Sequence, residues 1–579
     1  MGKKPSTTEP KSKLPIVLAA IGFFLAEVVV LAGAASPFRL PKEAVVLAAL
    51  SLAVAGGIIA AARRRAITLP HGPLVWVLIS LPILQAVSAL WSASRLRTLE
   101  SSLLTLIWVV GILWLATVTT TTRRRLALVA AFGVAISACV MLVQLAGVSV
   151  FDFSAPFSSK RLSLTGLTGN PADLAMAAVL LLPFLLTWGE DSSRPWLYRV
   201  LAVTLALAAL ITQTLTGVVA LAILLVVWLI QKRSKRLWLT TLGLGALIVA
   251  VALAAGLGTR LLKASDRAQK GNWYRVFSAR GDGWSAAAEM IRERPLIGVG
   301  AANYTQLYYP SRLAWLTRHG GTGARGELAS HFQWAHCDPL QVVAELGILG
   351  IVWMAAFVLA IVSIRRRAGP LLPLAVAAWV PFALLHYPSH LAVGLIPIAL
   401  LLAHLIATTE PPRTFQWRRA RLPVTTVVVV LAIVAAEWQL RRVAVDLWIG
   451  GNELRLTMSE GLDPANRARL AAAIEAQILS RIQRLPSAAP TLWRTVGRAR
   501  LVRREAAGAE VAFRTAYALW PHEDAEFYLG MSLVTQGRRG EGLQHLGRVC
   551  RTNPALARYI SDKGLRRSVQ DMVAAYRRQ

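Results

Sequence analysis

The sequence predicts an all-α protein: a polytopic transmembrane bundle of about 12–13 helices with a large loop on the outer side and a C-terminal helical-repeat domain. Three observations carry the prediction. Apolar runs long enough to cross a hydrocarbon core of about 30 Å recur along the chain. Basic residues collect on alternate connections between those runs. One long polar gap breaks the pattern, and a tail rich in Ala, Leu, Arg and Glu closes the chain.

Across 579 residues the mean hydropathy is +0.52, with 55% hydrophobic and only 16% charged residues, which excludes a soluble globular protein. The apolar runs cover 14–35, 44–62, 73–90, 103–118, 126–148, 171–187, 200–214, 216–230, 237–257, 339–364, 370–386, 391–406 and 424–440. They are continuous rather than alternating, so helices and not a barrel span the membrane. The first run lacks a small-residue cleavage motif and reads as a retained helix.

With a cytoplasmic N-terminus, the inner connections hold about 23 Lys and Arg against about 6 on the short outer loops. Arg63–Arg65, Arg123–Arg125 and Arg365–Arg367 fall inside, whereas the outer side has Arg39, Lys42, Arg95, Arg97, Lys160 and Arg161. This asymmetry predicts a multi-pass membrane protein with a basic cytoplasmic N-terminus at 1–13 and a membrane domain at 14–440. The large loop 258–338 is expected on the outer side. An odd number of crossings puts the tail, 441–579, there too.

The tail has an internal echo. Gly497 and Gly530, like Pro521 and Pro554, stand 33 residues apart, and Leu485-Pro486 precedes Trp520-Pro521 by a similar step. Helix pairs of that length resemble tetratricopeptide repeats. Such a domain would offer a docking surface to a partner protein or an extended glycan, and truncation after about Arg442 is expected to leave a folded membrane domain.

The formal charge of +33 is dispersed and largely topological, which argues against nucleic acid and for anionic lipid headgroups or phosphate-bearing substrates. Cys139, Cys337 and Cys550 are too scattered for a zinc site or a disulfide framework. No H-E-x-x-H, paired-carboxylate metal spacing or G-x-S-x-G occurs in the outer loop, so no metal, cofactor or serine nucleophile is expected.

Chemistry concentrates between Arg280 and Gly350. Arginine presents a planar, permanently charged fork that matches phosphate oxygens, and histidine can take a proton near neutral pH. Arg280 and Arg161 are therefore candidate phosphate clamps and His336 a candidate general base. The bland alternatives are that Arg280 pairs with Asp282 or Glu289 and that His336 is structural. Gly298-x-Gly300 is neither a dinucleotide fingerprint nor a P-loop and reads as a turn. Asn170-Pro171 reads as a helix start.

Taken in order, four elements resemble the bacterial O-antigen ligase family, which includes O-antigen polymerases and protein O-oligosaccharyltransferases. Arg161 precedes G-L-T-G-N-P-A-D-L-A, residues 166–175, with Asn170 in its turn. Arg280-x-x-x-Trp284 and Pro295-x-x-Gly298-x-Gly300 follow. His336-Cys337, nine residues and Gly347 come next, enclosing Asp338 and Glu345, and Tyr387-Pro388-Ser389-His390 forms a polar break between late helices. Two features depart from the family: Cys337 stands where a polar amide or hydroxyl is usual, and Leu215-Thr216-Gly217 lacks the family's arginine.

The resemblance implies a membrane glycosyltransferase that moves a polysaccharide from undecaprenyl pyrophosphate to an acceptor hydroxyl on lipid A-core, a protein or another glycan. It assigns His336 and Arg280 to catalysis and Arg161 and Arg280 to the pyrophosphate. Trp284, Asp338, Glu345, Asn170, Gly298 and Gly300 would support them. A polymerase acting on lipid-linked repeats, or a protein O-oligosaccharyltransferase, is the alternative of the same class. A polysaccharide transporter is the alternative of another class, but the internal repeats and broken midplane helices typical of transporters are not legible here.

Overall fold

The computed structural model describes residues 13–150, 163–233, 256–272, 276–277, 280–322, 332–409, 412–416 and 421–578, and four single positions between 243 and 253. Arg161 and most of the run 237–257 lie outside the described residues.

Twelve apolar helices fall on twelve of the thirteen predicted runs. Eight are long and apolar enough to cross a membrane: α2 (Leu40–Arg64), α4 (Arg95–Thr117), α5 (Thr120–Leu145), α6 (Pro171–Trp188), α8 (Leu215–Lys232), α12 (Asp338–Ile364), α14 (Ala392–Thr409) and a segment at Leu422–Gly461. Four are shorter: α1 (Leu14–Val28), α3 (Pro73–Ser88), α7 (Pro195–Ile211) and α13 (Leu371–Leu385). The fold is thus the expected all-α membrane bundle.

Helix α6 is the axis of the bundle. It is apolar all round, and 83% of its spanning window is buried, against 22% for α12 at the periphery. Ala175, Ala177 and Ala178 let neighbouring helices approach it closely, while Leu181 and Phe184 fill the layer beneath.

The connections sort onto two ends. At one end β1 (Ala66–Leu69) pairs antiparallel with β2 (Arg413–Gln416), Arg124 meets Asp191 at 3.1 Å, and Lys232 pairs with Glu190. All these residues belong to connections predicted to be inner. The two strands were not anticipated, because four residues are too short to display a period of two. At the other end, the predicted outer segments 33–39, 163–170, 332–337 and 386–390 converge.

Two further helices, α10 (Arg280–Glu293) and α11 (Tyr304–His319), build the loop predicted to be outer, following in the chain a short amphipathic helix, α9 (Leu257–Gln269). The segment after β2 is one long helix, α15 (Arg421–Met458), which runs unbroken past residue 440. It continues into α16 (Pro464–Leu479) and two successive helix pairs, α17 (Ala489–Val502) with α18 (Ala506–Leu519), then α19 (Glu523–Thr535) with α20 (Arg539–Thr552). A last helix, α21 (Lys563–Arg578), follows.

The tail is not a detached appendage. Met290, Tyr304 and Tyr309 of the loop share one apolar core with Phe527, Leu546, Val549 and Val569 of the tail. Tyr309 hydrogen-bonds Glu526 within that interface, and the Arg551 guanidinium donates to the Leu316 carbonyl at 2.6 Å. This shared core opposes the expectation that truncation at Arg442 leaves the rest intact. Periodicity within the tail reveals its helices, but not which other surface they cover.

Candidate active site

The site is built on a backbone-to-backbone joint. Helix α12 breaks at Gly347, where φ is 60° and ψ −142°, and the turn Pro295–Ala302 lies against the break. Val299 N–H donates to Ala344 O at 3.0 Å, Gly300 N–H to Glu345 O at 2.9 Å, and Ile348 N–H to Pro295 O at 3.1 Å. A Cβ on Gly298 would stand 2.3 Å from the Glu345 carbonyl carbon, and one on Gly347 would stand 2.5 Å from that of Leu296. Both glycines also have positive φ, so a side chain is excluded twice over.

Glu345 belongs to this joint rather than to the chemistry. One carboxylate oxygen accepts Ala302 N–H at 2.9 Å and the other accepts the Gln341 amide at 3.0 Å. Gln341 in turn accepts Ala335 N–H at 3.0 Å, which fixes the residue before His336. Gly300 completes the turn against Ser92.

His336 sits in the left-handed region at φ 56°, unusual for a histidine, between this anchored residue and the start of α12. Its ring meets those of Tyr387 at 4.6 Å, Phe332 at 5.1 Å and His386 at 5.8 Å. Its Nδ1 is buried without a hydrogen-bond partner among the described residues. Burial, followed by the charges of His386, Arg280 and Arg39, holds the imidazole pKa well below its ordinary value. The ring is therefore neutral at physiological pH and has a lone pair to accept a proton.

Arg280 opens α10. Burial lowers its pKa to about 10, opposed by Tyr387 and aided by Arg260, so it is still a cation at neutral pH. One Nη donates to Phe277 O at 3.2 Å, while Nε is buried without a partner among the described residues. The bland pairing is not what the structure shows: Asp282 binds Arg312, and Glu289 binds Arg292 and Arg318 at 2.9 and 2.8 Å. Trp284, one turn on, packs 5.6 Å from Phe277 with its indole N–H buried and unpartnered among the described residues.

The remaining predicted residues divide by role. Asp338 accepts Ser389 N–H at 3.1 Å and stands 3.8 Å from His390, tying the polar break to the top of α12. Asn170 caps α6 by accepting Ala172 N–H at 2.9 Å, which is the helix-start reading.

Sequence reading missed the other half of the site. Arg39 donates to the Tyr387 hydroxyl at 2.7 Å and to Gln333 at 3.1 Å, lies 3.7 Å from Asp173, and stacks 4.7 Å over Trp334. Asp173, in the first turn of α6, also accepts His386 Nε2 at 2.9 Å. In the sequence Asp173 stands just after Asn170-Pro171, where a helix-start and a binding role are equally open, and Tyr387 belongs to the polar break. In the sequence Arg39 is only one of six basic residues on the predicted short outer loops.

Fold and site together define a class: a multi-pass helical membrane protein that gathers cationic and imidazole side chains at one end of the bundle. Residues 200–355 match the family model described as O-Antigen ligase, and the chain carries a domain of that family there. The match includes Arg280 and His336, but Arg39, Asp173 and His386 fall outside it. No curated protein matches the sequence.

Proposed function

We propose that this protein is a glycosyltransferase of the O-antigen ligase type, acting on the outer face of a bacterial inner membrane. It transfers a polysaccharide from undecaprenyl pyrophosphate to an acceptor hydroxyl. The observation that carries the reading is the proximity of Arg280, a half-buried cation without a carboxylate partner among the described residues, to His336, a half-buried base held neutral by its surroundings.

The reaction needs no more than these two functions. The acceptor oxygen attacks the anomeric carbon as its proton passes to the His336 imidazole. The bond from that carbon to the pyrophosphate oxygen breaks, and the electron pair stays on the diphosphate, where Arg280 stabilises the charge. His336 then returns its proton to solvent or to the departing lipid diphosphate. Arg161 remains a proposed second phosphate contact. The Arg and Lys asymmetry supports an outer location for this end, and the 34-residue step from Ala489 to Glu523 supports a tetratricopeptide-like tail.

The glycan profile of a deletion strain tests the reading. Accumulated long lipid-linked chains support a ligase, and accumulated single repeats move the assignment to a polymerase. An unchanged profile contradicts both.

A further inference from the structure

A cavity of about 400 Å³ is lined by the loop 35–39 and by residues 168–171 and 173, and its Arg39 and Asp173 contact Tyr387 and His386 beside His336. Its size lies within the roughly 300–1,000 Å³ of small-ligand sites. Ser36, Phe38, Arg39, Thr168, Asn170 and Asp173 contribute to its wall.

We propose that this cavity is the subsite for an uncharged sugar of the acceptor, recognised by Arg39, so that acceptor and lipid diphosphate are held by different arginines. The proposal rests on the glycosyl-transfer reading and divides its site in two.

The two arginines differ in their company. Among the described residues no carboxylate pairs with Arg280, since Asp282 binds Arg312 and Glu289 binds Arg292 and Arg318, and its charge is available to an anion. Arg39 faces Asp173, whose side chain is 3% exposed and 3.7 Å away. A diphosphate placed at Arg39 would meet that carboxylate, and its attraction to the guanidinium is already partly offset. A guanidinium fork, a carboxylate and hydroxyl or amide groups around a small cavity instead match the mixed donors and acceptors of sugar hydroxyls.

Arg39 is also fixed in advance. Gln333, Tyr387 and Trp334 set its plane on one side, yet its side chain is 32% exposed and open to a ligand. Its loop is pinned from behind by α15: Ser36 N–H donates to the Asp446 carboxylate at 2.8 Å and Ala35 N–H to the Asp446 carbonyl at 3.2 Å. Gly450 lies so close that a Cβ there would be 2.4 Å from Ala35 N. Tyr387 joins the subsite to the chemistry, since its hydroxyl holds Arg39 while its ring touches that of His336.

The test uses the full-length chain in lipid nanodiscs, with a lipid-linked polysaccharide fraction and a total glycolipid extract from the source cells as donor and acceptor. Arg39→Lys is expected to raise the apparent acceptor KM by about tenfold or more and leave the donor KM within about twofold, and Arg280→Lys to do the reverse. Asp446→Asn, outside the cavity lining, should move the acceptor KM in the same direction by less. A rise in donor KM in Arg39→Lys, or no change in either KM, would overturn the proposal. As an independent arm, inorganic pyrophosphate should slow amide exchange at the start of α10 and leave 35–39 unaffected. Slowing at 35–39 would overturn it too. Absence of transfer by the unmodified protein would instead overturn the glycosyl-transfer reading, and the pyrophosphate arm would still decide which arginine binds the anion.

Discussion

The rings of His336 and Tyr387 meet edge to face at 4.6 Å, joining residues from opposite ends of α12 and α13. Through this contact the proposed base is held by the polar break 386–390, which is itself tied to Asp338 at the top of α12. His336 is thus fixed by packing on the ring and by a strained backbone, and its Nδ1 is left without a hydrogen bond among the described residues. That is the state expected of a group that waits for a substrate proton.

Loss of that group should be severe and specific. A missing general base typically costs about 10²–10⁴-fold in rate, or about 3–5 kcal/mol of barrier. His336→Ala should insert normally, retain donor binding and lose transfer by that factor. Initial rates and donor retention in nanodiscs check both halves of the statement.

The pH profile follows from the sign of the His336 shift. A base must be unprotonated to act, so activity is present above its pKa and lost as pH falls through it. Burial and the neighbouring Arg280 and Arg39 lower that pKa, so the acid limb of kcat/KM should lie below the ordinary histidine value of about 6.5. Arg280→Gln removes one lowering charge, and its residual activity should show the limb displaced upward. A limb at or above the ordinary value in the unmodified protein would contradict the assignment.

Arg280→Lys retains the charge but loses the fork. A single ammonium cannot bind two diphosphate oxygens in parallel, so donor affinity should fall while the protein remains folded. Isothermal titration with lipid diphosphate measures the loss directly.

The joint between α12 and the turn Pro295–Ala302 makes a stability prediction. Gly298→Ala introduces a Cβ 2.3 Å from the Glu345 carbonyl carbon at a positive φ. Backbone strain of this kind costs roughly 1–3 kcal/mol before the clash is counted. The variant should melt earlier in detergent and lose the order of α10. Gly540→Ala, whose Cβ would meet nothing within 4 Å, is the control.

Much of the fold was legible because each apolar run is long, continuous and bounded by charge or proline. The helices follow from the local chemistry of the chain. Half of the site was legible for a related reason: Arg280 and His336 stand in the one polar gap, where a reader looks for chemistry. Arg39, Asp173 and His386 are single residues at the ends of α2, α6 and α13, far apart in sequence, and only tertiary packing brings them together. Local pattern has no signal for that convergence. The same limit applies to the tail, whose period marks its helix pairs but not the core they share with α11.

That shared core predicts a loss of order on truncation. Removing 443–579 strips Phe527, Leu546 and Val549 from Tyr304 and Tyr309 and leaves the Tyr309 hydroxyl without Glu526. Amide exchange across Tyr304–His319 should rise sharply in the truncated protein, whereas Pro171–Trp188 remains protected. Unchanged exchange across the loop would show that the tail is separable after all.

The central claim is that Arg280 and His336 perform glycosyl transfer from a lipid diphosphate. Single-turnover transfer by purified full-length protein, with release of undecaprenyl diphosphate followed beside product formation, tests it most directly. The account predicts stoichiometric release with the unmodified chain, loss of transfer with retained donor binding for His336→Ala, and loss of donor binding for Arg280→Ala. Near-normal turnover by a correctly inserted His336→Ala protein would contradict it.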